Sequence, residues 1–487
     1  MDIKLLKRID LNLPMTIEGC HELILKQQAL IESFIGRIEK LEEQTRKNSK
    51  NSNKPPSSDG LKKRPAFARE TGKKRGGQNG HKGNKLQLVE KEEEIDEREV
   101  LYPDASNCRG CGSVLDKSKA LLSEIRQEFD LPEPKLLVRE FQKMEIGCSC
   151  CGTKHYGMFP EHIKATTQYG SGVRSLTVLL NNGFALPVKK VQSLFVDLFG
   201  YQINESTIVN NSILCYNGLE PTEIVIKEKL TNCENGKSVT ENVNVGHSDE
   251  TGVRVAGKLH WLHVFSSALY TFFFVHEKRG KEALNDPQSI LPKYSGWVVH
   301  DCWASYFSFE GVKHALCGAH ILRELYALDD KGTIWAKWFR RYLLTLLHLI
   351  KQNNGCLTKS QQQKALLLYE KICAYANEIE PLPQKKESGR GRPKATKGRN
   401  LLNRLIKHQD GILAFAFHSE VPFTNNLAER DLRPIKTKQK VAGCFRTLEG
   451  AQRHARIFGF ISTVRKNELN IFNELKNLFD NKKTAFS

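Results

Sequence analysis

From Glu22 to about Asn48 isoleucine recurs every seventh residue, at 24, 31 and 38, with Phe34 and Leu41 between them in a polar run. That pattern predicts the seam of a short coiled coil, because so short a helix is marginal without a partner. Helical spacing returns over 170–215. There "KKVQSLFVDLFG" predicts a helix stopped at Gly200, and "YQINESTIVNNSIL" a second helix capped by Asn204 or Ser206. The pair reads as two packed helices or as a helix-turn-helix presenting Ser206, Thr207, Asn210 and Asn211. From 243 the pattern changes to strands. "VNVGHSDETG" predicts a strand that carries Asp249 and stops at Gly252, and "KLHWLHVFSS" and "ALYTFFFVH" predict two more. A helical stretch near "RGKEALNDPQSI" precedes "GWVVHDCWASY", a short buried strand ending at Asp301; "KHALCGAHILREL" then gives a strand and a helix. Three antiparallel strands, a helix and a further strand make the order of a ribonuclease-H-like α/β core with a mixed five-stranded sheet. Near the C-terminus "VPFTNNLAERDLRPIK" predicts a helix capped by Thr424 or Asn425, with Glu429 in its second turn and Pro434 ending or kinking it.

Between these periodic segments lie polar ones. "NSKNSNKPPSSDG" (48–60) has linker composition, and residues 61–85, including Lys73, Lys74 and Arg75, are Gly-rich and cationic with one acid, Glu70. Such a segment buries no core; it serves as a solvated tether or lies along phosphates. The whole chain has 487 residues, and 74 Lys plus Arg against 55 Asp plus Glu give a net charge of +19. A polyanionic partner follows, nucleic acid before a membrane surface. No segment is apolar enough to span a bilayer, "LHVFSSALYTFFFV" reading as two strands, and the N-terminus lacks a signal-peptide core. A cytoplasmic, nucleoid-associated protein is expected.

"CRGCG" (108–112) and "CSCCG" (148–152) supply Cys108, Cys111, Cys148 and Cys151, the spacing of a zinc ribbon holding one structural Zn²⁺. Cys150 is spare, and His155 is a weaker substitute ligand. The expected parts are a helix or coiled coil over 1–50, a basic linker over 51–95, a zinc ribbon over 96–165 and a helical DNA-binding-like region over 166–235. The core then occupies 236–320 and 416–487, divided by a helix-rich stretch over 321–415.

Strands 1 and 4 of a ribonuclease-H-like sheet are neighbours, so Asp249 and Asp301 fall side by side. Two adjacent carboxylates repel unless a cation lies between them, and Mg²⁺ takes hard oxygen ligands. Glu429 reads either as an i,i+4 partner of Arg433, worth a few tenths of a kcal/mol, or as the third ligand. The joint order of Asp, Asp and Glu favours a metal triad.

"HSDETGVRVAGKLHWLHVFSS", "VVHDCWASYF", "HALCGAHILREL" and "TNNLAERDLRPIKTKQKVAGCFRTLEGAQ" resemble the signature blocks of the insertion sequence 66 family of DDE transposases. "NSNKPPSSDG", "RGGQNGHKG" and the cysteine pairs resemble that family's N-terminal region, so the likeness runs over roughly residues 20 to 480. It implies that Asp249, Asp301 and Glu429 are the catalytic triad, with two Mg²⁺ (or Mn²⁺) ions and Asp249 bridging them. It also implies a helical insertion before Glu429, element ends and target DNA as substrates, and small accessory proteins of the same element. Arg430, Arg433, Lys436, Lys438, Lys440, Arg446 and Arg453 become candidate phosphate contacts. Trp303 either stacks on an unpaired base or packs in the core, and His247 either orients Asp249, touches phosphate or packs. "RGRP" (390–393) reads as a minor-groove hook or a linker. Cys317 and His320 match the family block and read as a packed thiol and a helix-start histidine, since a zinc site would need His314 or Cys302 as well. A homo-oligomer through the coiled coil is expected. Two other functions fit the same residues: a zinc-ribbon DNA-binding regulator without catalysis, and a ribonuclease-H-like nuclease without strand transfer.

Overall fold

The computed structural model describes residues 16–46, 86–231, 245–383 and 395–486, with two-residue strands at Cys233–Glu234 and Lys237–Ser238. Lys73, Lys74, Arg75 and "RGRP" lie outside the described residues. Among the described residues, 86–142 and 195–201 form one compact unit, and the sheet-bearing remainder forms another.

The sheet consists of β1 (Val245–Val255), β2 (Lys258–Ser266), β3 (Thr271–His276), β4 (Trp297–His300) and β5 (Lys313–Leu316), in the order β3-β2-β1-β4-β5. The first three strands are antiparallel, and β4 and β5 run parallel to β1. This mixed order is consistent with a ribonuclease-H-like core. Strand β1 does not stop at Gly252. It runs on to Val255 and turns at Ala256 and Gly257, both at positive φ (47° and 79°). That geometry matches a tight hairpin whose twist suits the flanking strands.

Alternation decides which side chains go to which layer. Leu262, Val264, Phe273 and Val275 face one side and pack on Ala428, Leu432, Ile435, Ala451, Ala455 and Phe458. Phe265, Phe272 and Phe274 face the other, against Ile226, Leu230, Leu284 and Tyr294. Helices therefore cover both faces.

The N-terminal helix α1 (Ile17–Arg46) keeps Ile24, Ile31, Ile38 and Leu41 more than half exposed. Next come α2 (Ser171–Val178), α3 (Val188–Phe199), α4 (Glu205–Gly218) and α5 (Glu220–Thr231). Gly200 adopts φ +62° after α3, and Asn204 occupies the N-cap of α4. Of the four residues on the candidate reading face, Asn211 is buried and donates to Thr177 Oγ1 at 3.0 Å. Among the described residues, five helices separate β5 from the Glu429 segment: α6 (Gly318–Asp329), α7 (Ile334–Gln352), α8 (Lys359–Ile379), α9 (Lys397–Lys407) and α10 (Gln409–Phe417). They share one core around Trp335, Phe339, Tyr369 and Leu405.

Glu429 lies in α11 (Asn426–Ala442), which continues through Pro434 to Ala442 rather than ending at the proline. The proline forfeits one backbone donor, but burial of Leu432 and Ile435 on either side of it holds the helix on the sheet. After α11 come α12 (Leu448–Lys466) and α13 (Ile471–Phe479). Val178, Cys215 and Leu219 of the 171–231 helices pack with Ile457, Phe460, Ile461 and Val464 of α12. No described helix is long and apolar enough to cross a membrane.

The two cysteine turns are each built the same way. Cys108 N–H donates to Ser113 O and Gly112 N–H to Cys108 O; Cys148 N–H donates to Thr153 O and Gly152 N–H to Cys148 O. Gly112 and Gly152 sit at φ +75° and +76°, where a side chain would be strained. Hydroxyls of Ser113 and Thr153 lie 3.3 and 3.1 Å from Cys111 Sγ and Cys151 Sγ and draw those thiols below their ordinary pKa. Beside the second turn, Glu145–Gly147 forms a short strand paired antiparallel with Lys154–Tyr156.

Candidate active site

Asp249 sits in the middle of β1, yet it is at an edge. The parallel ladder between β1 and β4 ends at His247↔Val299, two residues before Asp249 on one strand and two before Asp301 on the other. The two aspartates therefore emerge at the same level, just past the last paired positions. Burial, Glu250, Asp301 and Glu429 all push the Asp249 carboxyl well above the usual carboxylate range. Asp249 is thus within electrostatic reach of both other acids, which come from segments far apart in the chain.

Each acid is held by its own local device. Asp249 Oδ1 accepts from Glu250 N–H at 2.9 Å. Asp301 Oδ1 accepts from Trp303 N–H at 3.1 Å, across a turn in which Cys302 takes the left-handed φ of +61°. A non-glycine residue there is uncommon and mildly strained. Glu429 is positioned by Asn425. The Asn425 side chain does not cap α11, as its sequence position suggested; it reaches across to β1. Its Nδ2 donates to Ser248 O at 2.8 Å, which leaves Oδ1 to accept from His247 Nδ1–H at 2.9 Å. Burial holds His247 at a pKa of about 4, so the ring is neutral and acts as that donor. Asn425 N–H in turn points at Cys317 Sγ, 3.2 Å away. Gly318 permits this close approach, since a Cβ there would fall 2.2 Å from the Phe423 ring.

Glu250 is an acid that sequence reasoning missed. Its side chain is 1% exposed, accepts from Tyr306 OH at 2.6 Å and pairs with Arg279 at 2.7 Å. The Arg279 guanidinium lies over the Trp303 ring at 4.4 Å, and that ring meets Tyr306 edge-on. Trp303 therefore packs on one side of the site. A buried Glu next to the recognised Asp in "HSDET" was the available signal.

Glu429 makes no ion pair with Arg433 among the described residues; His320 Nδ1 lies 3.8 Å from it, and burial lowers the pKa of that imidazole. Arg430, Arg433, Lys440 and Arg446 are exposed, and Arg453 is partly buried. Lys436 donates to Gly252 O at 2.9 Å and feels the charge of Asp249. Lys438 turns inward to Asn181 O at 2.9 Å, and burial lowers its pKa to about 8. Its ammonium is committed to packing and leaves the row of free cations.

The geometry suits a hard divalent ion. The Asp249 carboxyl feels the negative charge of Asp301 and Glu429 and is destabilised as an anion, and Glu429 Oε1 is buried with no hydrogen-bond partner. Fold and site together define an α/β protein that gathers acids at the rim of a mixed sheet and sets cations along the adjoining helix. The Transposase IS66 family matches residues 166–453, more than half of the chain, and the protein belongs to that family. Its function is that of a transposase, with DNA as substrate. A second family, of unknown function (DUF6444), matches residues 15–87. No curated protein matches the chain.

Proposed function

We propose that the protein cleaves element ends and joins them to target DNA by in-line transfer at phosphorus, with Asp249, Asp301 and Glu429 holding two Mg²⁺ or Mn²⁺ ions. Such ions, when bound, activate the attacking oxygen and stabilise the leaving one. What supports this reading is the register of the two parallel strands, whose last pair His247↔Val299 lies two residues before both Asp249 and Asp301, together with the charge of Glu429 felt at Asp249. Asp249, whose carboxyl feels both other acids, would gain most from the positive charge of a bound ion. Asn425 fixes the helix bearing Glu429 against the strand bearing Asp249, and the Cys302 turn aims Asp301. Arg430, Arg433, Lys440 and Arg446 offer cations that grip phosphates, and Lys436 adds a charge beside Asp249. The exposed seam of α1 supports assembly of two chains around two DNA ends, and the preformed Cys turns support structural zinc. Strand transfer of element ends in Mg²⁺ is the test. Loss of joined product in Asp301→Ala with DNA binding retained is expected, and full activity in that variant would overturn the assignment.

A further inference from the structure

Glu429 belongs to a second donor set. Cys317 Sγ, His320 Nδ1 and a Glu429 carboxylate oxygen all lie within 4.8 Å of one another. His320 Nδ1 and Glu429 Oε1 are 3.8 Å apart, and both are buried without a hydrogen-bond partner. Two unpartnered polar atoms aimed at each other beside a thiol are costly to leave bare. The scaffold holds them there. Cys317 N–H donates to His300 O, His320 N–H to Cys317 O, and Gly318 N–H to Phe423 O, so the first turn of α6 is fixed against β4 and the α11 approach.

Sulfur, imidazole nitrogen and carboxylate oxygen form a borderline-soft set that suits zinc and not magnesium. Tetrahedral zinc with bonds of about 2.0–2.3 Å places its donors about 3.3–3.7 Å apart. The donors here would have to close by little more than about 1 Å, a side-chain adjustment, and the fourth position would take water. We propose that Cys317, His320 and Glu429 form a Zn²⁺ site that competes with the magnesium centre for Glu429 and switches the transposase off when zinc is bound. The competition, though not the zinc site itself, rests on Glu429 serving the catalytic centre. One carboxylate then has two mutually exclusive duties, and linkage requires that each metal weaken the other by the same factor.

The test uses the full chain. Zinc content after equilibration with ZnCl₂ is compared between wild type and Cys317→Ser, with His320→Asn as a second variant and circular dichroism confirming that each is folded. Wild type is expected to hold one zinc per chain more than either variant, to release that zinc as Mg²⁺ is raised, and to lose strand transfer at zinc levels that Cys317→Ser tolerates at least about tenfold better. Cobalt substitution should give a thiolate-to-metal band that Cys317→Ser reduces and His320→Asn shifts. Equal zinc content in wild type and both variants would overturn the site. Extra zinc that saturating Mg²⁺ fails to displace would overturn the competition. Failure of the triad reading shows elsewhere, as zinc-free strand transfer that survives Asp301→Ala.

Discussion

Asn425 gives the sharpest handle on how this site is assembled. Its side chain is 1% exposed and satisfies two buried groups on β1, His247 Nδ1–H and Ser248 C=O. Asn425→Ala leaves both unpaired. Each orphaned polar group costs about 1–3 kcal/mol, so about 2–4 kcal/mol is expected for the pair, allowing for partial relaxation. Urea unfolding of the full chain should show that loss as a lower midpoint with unchanged slope. The same change releases the tie between the Asp249 strand and the Glu429 helix. A displacement of about 1 Å costs about 100-fold in rate, so strand transfer should fall by that order while affinity for element ends holds. Asn425→Asp keeps the acceptor for His247 and loses the donor to Ser248 O, and it should fall between the two. Wild-type stability together with wild-type transfer in Asn425→Ala would refute the reasoning.

Other outcomes follow from the same geometry. Burial and three acidic neighbours raise the folded Asp249 pKa above its ordinary value of 3.8, so the folded protein holds a proton that the unfolded chain has released. Metal-free stability therefore declines as pH rises from near 3.8 towards the raised value. Asp249→Asn should raise the metal-free Tm at neutral pH, abolish strand transfer and remove the Tm increase that Mg²⁺ gives the wild type. Asp431 and Lys466 pair at 2.7 Å, nearly buried, and Ser266 Oγ also donates to Asp431. Asp431→Ala should cost about 3–5 kcal/mol by chemical denaturation, because it strands the Lys466 ammonium. Arg433→Ala should weaken DNA binding and lower the slope of log affinity against log salt by about 0.9. Lys438→Met should leave that slope unchanged, since its amino group is occupied by Asn181. If the proposed zinc ribbon holds, loss of one thiol from either Cys turn, in Cys111→Ser or Cys151→Ser, lowers zinc content measured by mass spectrometry.

The strands from 245 to 316 were legible because strands packed on both faces read as short apolar runs rich in aromatic and β-branched residues, such as Phe272, Phe273 and Phe274. The aspartate pair was legible for the same reason: strand order alone makes β1 and β4 neighbours. Three features were not. The continuation of β1 past Gly252 depends on pairing with β2, which glycine tolerates and local propensity does not reveal. The helix running through Pro434 depends on tertiary burial of Leu432 and Ile435. The proximity of Cys317 and His320 to Glu429 joins positions more than 100 residues apart, so no local spacing could expose it, and the sequence reads the two as a packed thiol and a helix-start histidine, with His314 or Cys302 needed to complete any zinc site. His314 Nδ1 is in fact engaged by His300 at 3.1 Å. Asn425 was visible as a cap from its place before α11, whereas its real work as a cross-link to β1 required the fold.

Anomalous diffraction from crystals of the full chain with an element end, grown in Mn²⁺, tests the central claim most directly. Two Mn²⁺ ions about 3.5–4 Å apart, with Asp249 touching both and Asp301 and Glu429 one each, are the expected result. Manganese bound without Glu429, or absent from the rim of β1 and β4 while the DNA is in place, would contradict it.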